Sequence, residues 1–413
     1  INSIPEVHYS SGTSRARYFQ IRGIGELSQF SGEGAPHFYI STIIDNIDFS
    51  GIGGASLLDD IKQIEIFKGP QSTIYGPNAM GGAINFISIK PHNSKEFKAS
   101  FKIGNYNTNK IGTTLNLPLT QNLSSRITLS QSTTDGMIYN EHLESDDSNS
   151  KNENMIKLSF NYNANKNKNI TLFAYHINLD NKYNQWTPDN NGFTTYSDYQ
   201  GYDKQKTNAF SITKTNKINN LTITNISSYS KSNIQYSYDA DWGNLEYWAN
   251  PPYNWYENNT ELFSEQSCNI SVGYYPCYYD YYFSDLTDRE KKIKSKEVRI
   301  SYNNLIAGFY FSELTETDIR NGWIFAGNAE NIHSKFEISN SSIYLKFTKI
   351  LNRTKINTTA RYDHYKTKNI LNTPELINNI FTPVIFFKKT FIEKSPSTDD
   401  IKTGNVIVVS KEK

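Results

Sequence analysis

Residues 95–129 read KEFKASFKIGNYNTNKIGTTLNLPLTQNLSSRITL. Phe97, Ala99, Phe101 and Ile103 alternate with Lys98, Ser100 and Lys102, and a polar turn follows at Gly104–Thr108. Ile111, Thr113, Leu115, Leu117 and Leu119 resume the alternation. Beyond Thr120–Asn122, the residues Leu123, Ser125, Ile127 and Leu129 continue it. A period of two puts apolar side chains on one face of a strand and polar ones on the other. The stretch therefore reads as three amphipathic strands joined by tight turns.

The same pattern recurs down the chain. It returns at Ile156–Leu158–Phe160–Tyr162, Ile170–Leu172–Ala174, Leu221–Ile223, Val298–Ile300–Tyr302, Ile343–Leu345–Phe347 and Ile356–Thr358–Ala360–Tyr362. About 11 candidate strands fall between residues 95 and 370, most of them near the length of about ten residues that a tilted membrane strand needs. Helical periodicity is nearly absent, with one short turn expected around Leu57–Ile61. The connections are lopsided: tight at Gly104–Thr108, Thr120–Asn122 and Lys217–Asn220, long after Thr134, Asp180 and Asp239. Short turns at one end and long loops at the other are the pattern of an outer-membrane barrel. An open stack of such strands would leave long unpaired edges, so closure is expected. Residues Thr382–Lys413 lose the alternation and are expected to lie outside the native barrel.

Composition narrows the classes further. With 42 Lys+Arg against 41 Asp+Glu there is no broad positive field, which argues against a nucleic-acid binder. No run approaches 18 apolar residues, which excludes membrane helices and leaves a membrane barrel open. Aromatic residues recur throughout, at 14% of the chain, so disorder is excluded.

Residues 1 to about 91 have a different grammar, rich in glycine and short apolar runs. Residues 61–87 read IKQIEIFKGPQSTIYGPNAMGGAINFI. Ile64, Ile66 and Phe67 supply a strand, Gly69-Pro70 breaks it, and Ala83–Ile87 re-enter one. Gly76, Gly81 and Gly82 permit positive φ or close backbone approach.

This segment closely resembles the plug-domain signature of TonB-dependent outer-membrane receptors: a Lys-Gly-Pro run at Lys68–Pro70, Tyr75-Gly76, and a Gly81-Gly82 close. FQIRGIG, from Phe19 to Gly25 with Arg22 and Gly23, is similar to the family's Ile-Arg-Gly strand. IIDNI, Ile43–Ile47, stands where the family has an Asp-Gly-Val turn, with Asp45 kept and Asn46 in place of glycine. The resemblance implies a mainly β fold: a transmembrane antiparallel β-barrel of about 22 strands with an N-terminal plug domain in its lumen. Residues 1–92 are then plug, lacking its N-terminal part. Residues 93–413 are a partial barrel with about half the strands, lacking the C-terminal ones. The chain is expected to be a fragment with neither a TonB box nor a signal peptide.

The resemblance also implies function: active uptake of a scarce iron complex such as a ferric siderophore, in the outer membrane of a Gram-negative bacterium. The partners would be the periplasmic TonB energy-transducing protein, the bulky ligand and outer-membrane lipids. Iron would enter only inside the transported chelate, with no resident cofactor. Cobalamin, an oligosaccharide or another non-iron ligand are alternatives, as is a non-transporting surface β protein or an inactive truncated remnant.

Arg22, Glu65 and Lys68 are the plug charges expected to matter. The resemblance implies that basic plug residues such as Arg22 and Lys68 pair with barrel carboxylates and lock the plug; the competing reading is an ordinary solvated strand charge. Glu65 is alternatively a local counter-charge for Lys68. The glycines 69, 76, 81 and 82 read as turns rather than a phosphate cradle, since no Gly-x-x-x-x-Gly-Lys-[Ser/Thr] is present.

Trp186, Tyr236, Tyr238, Trp242, Trp248, Trp255 and Tyr256 fall in or beside the long loops. There they suit either stacking on a bulky ligand or self-packing of the rim. Cys268 and Cys277 form the candidate disulfide. The seven histidines are scattered without a metal-binding spacing, and no nucleophile elbow or Cys/His pairing recommends catalysis. Asp59-Asp60 reads as a solvated turn or helix start. Arg289–Lys296 (REKKIKSK) is either a solvated strand or a contact for lipid phosphates at the rim.

Overall fold

The structure is a computed structural model. It describes residues 4–10, 13–15, 17–26, 38–53, 59–184, 189–244, 246–247, 284–323, 328–351, 354–371, 376–391 and 406–409. Six short strands come first. β1 (Val7–Ser10) pairs antiparallel with β2 (Tyr18–Ile21). A four-stranded sheet follows, in the order β4 (Ile47–Asp48), β3 (Ile40–Ile44), β6 (Gly82–Ser88), β5 (Ile61–Lys68). Within it β3 runs parallel to β6 and β5 runs antiparallel to it. One helical turn, α1 (Ser72–Tyr75), sits between β5 and β6. The helical turn expected at Leu57–Ile61 is absent at its described end: Asp59-Asp60 form a turn and Ile61 opens β5.

A 13-stranded antiparallel sheet makes up the rest. Its strands are β7 (Glu96–Gly104), β8 (Thr108–Pro118), β9 (Leu123–Thr134), β11 (Lys151–Asn165) and β12 (Lys168–Lys182). Then come β14 (Tyr202–Ile218), β15 (Leu221–Asp239), β16 (Ser284–Tyr302), β17 (Leu305–Trp323), β18 (Asn328–Leu351), β19 (Thr354–Leu371), β20 (Leu376–Phe391) and β21 (Val406–Val409). Each is hydrogen-bonded to its neighbour in chain order, and β7 and β21 are the outer strands among the described residues. Two short strands, β10 (Tyr139–Asn140) and β13 (Thr194–Thr195), pair in the loops between them. No helix is long and apolar enough to cross a membrane.

The sheet confirms the strand pattern and corrects two expectations. β16 and β17 each run 19 residues and β18 runs 24, well past the expected length. Above the apolar band both faces of a strand are polar, so the hydropathy alternation stops while the hydrogen-bond ladder continues. Likewise β20 pairs with β19 from Thr354↔Phe391 to Asn369↔Leu376, so the sheet persists beyond Thr382, where alternation had ended.

The two faces differ as period two demands. Ile156, Leu158, Phe160, Ile212, Val298, Ile300, Phe309, Ile343 and Leu345 are exposed on the outward face, a band suited to lipid. The opposite face holds Met155, Phe173, Tyr175, Ile177, Leu179 and Ala209. These pack into one buried cluster with Val7, Phe19, Ile21, Ile40, Ile44, Phe49, Ile84 and Phe86 of the small sheets. The N-terminal sheets are thus seated on the concave face of the large one by a shared apolar core.

Candidate functional site

The turn joining β3 to β4 projects one carboxylate onto the wall. Asp45 and Asn46 both take positive φ, 47° and 67°, which Asp and Asn tolerate better than bulkier residues. Held so, Asp45 accepts the backbone N–H of Ser88 at 2.9 Å and the hydroxyl of Tyr175 from β12. Its carbonyl accepts the Ser211 hydroxyl of β14 at 2.6 Å. Asn46 donates to Thr213 at 3.2 Å. The turn is therefore a contact with the wall as well as a reversal of the chain.

Charged contacts grip the N-terminal unit at two heights. Near the tight-turn end of the sheet, Arg126 of β9, 1% exposed, forks onto Asp60 through Nε at 2.7 Å and Nη2 at 2.6 Å. Its Nη1 reaches Glu96 at 2.6 Å. Asp59 accepts from Ser130 and pairs with Lys110 at 2.9 Å. Buried Lys157 donates to the carbonyls of Asp59 at 2.9 Å and Asp60 at 3.1 Å, and to the Ser88 hydroxyl at 3.0 Å.

Near the long-loop end, Arg15 pairs with Glu153 and Arg17 with Asp203. Ser14 gives Asp203 its backbone N–H at 2.9 Å and its hydroxyl at 2.6 Å. Taking such charges out of water is costly, and the pairs give orientation more than net stability. Removing one partner leaves a buried uncompensated charge, at about 3–5 kcal/mol.

Arg22 and Lys68 lie elsewhere. Both rest on Glu6, Arg22 Nε at 3.0 Å and Lys68 Nζ at 3.2 Å, on a solvent-facing side of the N-terminal unit. Together they hold the Glu6 carboxyl below its ordinary range. Among the described residues neither reaches a carboxylate of the large sheet, and both pair within the N-terminal unit. The charged contacts described between the N-terminal unit and the large sheet come from Arg15, Arg17, Asp59 and Asp60.

Glu65 does not balance Lys68. It accepts from Gln63 at 2.8 Å and Asn85 at 2.9 Å. Gly23, Gly69 and Gly76 sit at turns with positive φ, and Pro70 follows Gly69 out of β5. The Tyr75 ring packs on Phe67 at 5.2 Å. Gly81 and Gly82 are close approaches: a Cβ on Gly81 would meet Ile24 at 2.6 Å, and one on Gly82 the Phe67 carbonyl at 2.5 Å.

The locking residues left a faint trace in the pattern. Ser125, Ile127 and Leu129 face outward, so Arg126 must face in, where a charge needs a partner. The same parity argument divides Arg289–Lys296. Arg289 and Lys291 point inward onto Asp318 at 2.6 Å and Glu316 at 3.1 Å, while Lys292, Lys294 and Lys296 point outward.

At the loop end, Tyr236 shares a face with Asp203, its register partner, and packs against Tyr183 at 5.2 Å and Tyr238 at 5.6 Å. Tyr238 donates to Asp285 at 3.2 Å. Tyr196 and Tyr247 stack at 4.2 Å, and Trp242 is 44% exposed. Nearby, burial and the Asp241 charge push the Asp198 carboxyl up to about 6. Trp186, Trp248, Trp255, Tyr256, Cys268 and Cys277 lie outside the described residues.

A small β unit locked on the concave side of a long-stranded membrane sheet is a plug in a barrel wall. Residues 1–83 match the family model for the TonB-dependent receptor plug domain. This chain carries a plug domain of the TonB-dependent receptor kind. The fold agrees along nearly its whole length. The ferric yersiniabactin uptake receptor of Yersinia pestis superposes with a TM-score of 0.72 at 14% identity, covering 94% of this chain and 58% of that one. The siderophore receptor PiuA of Acinetobacter baumannii gives 0.64 at 14% identity over 85% of this chain and 55% of that one. The ferric-catecholate import receptor Fiu of E. coli, in its open form, gives 0.62 at 14% identity, 86% and 60%. The chain spans somewhat over half the length of the solved structures it matches.

Proposed function

We propose that this chain belongs to an outer-membrane importer that takes up an iron complex, most simply a ferric siderophore, with energy delivered to the plug from the periplasm. The observation that carries the reading is the plug itself, seated in the wall by buried ion pairs at Asp60–Arg126, Arg15–Glu153 and Arg17–Asp203. A lumen wide enough for a bulky ligand is an aqueous leak unless filled. The filler here is held by non-covalent contacts throughout, a shared apolar core and a few charge pairs, all of which can be exchanged for water.

Half-buried Tyr236 and Tyr238, with Tyr236 backed by the buried Tyr183, lie at the long-loop end beside the Arg17–Asp203 contact, where a ligand arriving from outside would meet them. Tyrosines offer an apolar face with a polar tip, suited to a chelate with aromatic or hydroxamate groups. Three of the structural relatives are named as receptors for ferric yersiniabactin, for a siderophore and for ferric catecholates, and this supports the same cargo class here.

The test is a binding panel on the chain in detergent, following intrinsic fluorescence with ferric chelates, cobalamin and oligosaccharides. Saturable quenching by a ferric chelate, weakened by Tyr236→Ala, is the expected result. Binding confined to cobalamin or a sugar would overturn the cargo assignment and leave the importer reading standing.

A further inference from the structure

The contacts of the plug are unevenly shared around the wall. Among the described residues, every ion pair between the two ends on β8, β9, β11 or β14, at Lys110, Arg126, Lys157, Glu153 and Asp203. The shared apolar cluster takes its wall members from β11, β12 and β14. Tyr175 and Ser211, whose hydroxyls meet the Asp45 turn, stand on β12 and β14.

β16 to β19 meet the plug differently. Their inward charges are matched inside the wall: Arg289 to Asp318 at 2.6 Å, Lys291 to Glu316 at 3.1 Å and Arg361 to Asp363 at 2.8 Å. Against these the plug sets two buried rings. Phe38 lies under the Lys291 ammonium, which is 4.4 Å from the ring centroid. Tyr18 stacks on Phe38 at 6.4 Å and reaches Arg289 with its hydroxyl. Further along, α1 lies against β18 and β19, and its residues Ser72–Tyr75 include no Lys, Arg, Asp or Glu.

Parting the plug from β8–β14 separates charges from their partners and opens an apolar cluster to water, and both are costly. Parting it from β16–β19 leaves each of these wall charges with its counter-charge. What is given up there is a cation–π contact and the cover of two rings, a much smaller loss.

We propose that the plug parts from the wall first along β16–β19, stays attached to β8–β14, and lets the imported chelate pass through the gap so formed. The surface uncovered carries cations and carboxylates in pairs, which offer a polar chelate donors and acceptors without a net charge to hold it. Phe38 and Lys291 are positioning residues that keep this seam closed at rest. The proposal rests on the importer reading and gives the route through it.

The test uses the protein that carries this chain, with Cys268→Ser and Cys277→Ser. Phe38→Cys with Lys291→Cys spans the seam, and Asn46→Cys with Thr213→Cys spans the attached side, where the native side chains meet at 3.2 Å. Each pair is bridged in cells by a short cleavable thiol cross-linker, and binding and uptake of a ferric chelate are followed. Bridging the seam is expected to abolish uptake with binding kept, and cleaving the bridge to restore it. Bridging the attached side should leave both unchanged. Uptake that survives the seam bridge, or that is lost with either bridge, would overturn the route.

A second measurement needs no transport. In the purified protein, at urea concentrations that leave the wall folded, buried Ser342→Cys on β18 and buried Ser211→Cys on β14 are labelled with a maleimide. The β18 thiol is expected to react roughly tenfold faster, as an easier local opening allows. Equal rates or the reverse order would overturn the seam. The expected order without chelate uptake in the unaltered protein would overturn the importer reading and leave the seam as the place where plug and wall part.

Discussion

Asp60 and Arg126 carry the most consequential contact of the plug. Both are nearly out of water, the geometry is a bidentate fork, and Glu96 takes the remaining guanidinium edge. Arg126→Ala strands the Asp60 charge and is expected to cost about 3–5 kcal/mol. Limited proteolysis should report it as faster cleavage within residues 1–92 while the wall keeps its heat-modifiable mobility. Arg22→Glu is the contrasting case. Its partner Glu6 is solvent-facing, and exposed pairs contribute little, so plug protection and small-solute permeability should stay as in the unaltered chain. A permeability rise with Arg22→Glu would return the locking role to Arg22.

Spacing alone ranked these residues the other way round. Arg22 and Lys68 stood inside a recognisable motif, whereas Asp59-Asp60 stood at a loop tip where carboxylates are usually solvated. Only the three-dimensional seating tells a loop tip in water from one pressed against a wall.

At the scale of elements, alternation made the strands legible. Eleven strands of the large sheet lie between Glu96 and Leu371, close to the number expected from period two. Their lengths were not legible, because a hydrogen-bond ladder needs no apolar residue to extend it. The plug's glycine-rich close was legible in kind. Gly81 faces Ile24 and Ile40, and a Cβ there would lie 2.6 Å and 2.9 Å from their methyl groups. Gly81→Ala should destabilise the plug by about 1–3 kcal/mol, as overpacking does, and should lower its urea midpoint ahead of the wall's.

The loop between β13 and β14 carries a pH dependence. Asp198 has its pKa raised to about 6 by burial and by Asp241. The folded loop therefore binds its proton more tightly than the unfolded chain does. Stability is fully present at low pH and is lost as pH rises from the ordinary carboxylate range through about 6. Amide protection factors at Tyr196–Tyr199, which divide out the intrinsic base-catalysed rate, should be larger at pH 5 than at pH 7, values chosen roughly to bracket that shift. Asp198→Asn should remove the difference; equal protection at both pH values in the unaltered chain would contradict the assignment.

Across the whole molecule, the arrangement is a long-stranded wall with one face occupied by a plug that shares its apolar core. Apolar packing centres the plug, through Phe49, Phe86, Phe173 and Ile177, and charge pairs near each end of the sheet set its orientation. Apolar contact is non-directional, whereas charge pairs fix register. A few ion pairs can also be exchanged for water when the plug is pulled, without unfolding the wall. That combination suits a gate driven from one side, and it is the central claim of the account. The proposed uptake is tested most directly with a radiolabelled ferric chelate on cells producing the protein that carries this chain, with the proton gradient intact and collapsed. The account predicts binding in both states and internalisation only with the gradient intact. Equal internalisation in both states would contradict it.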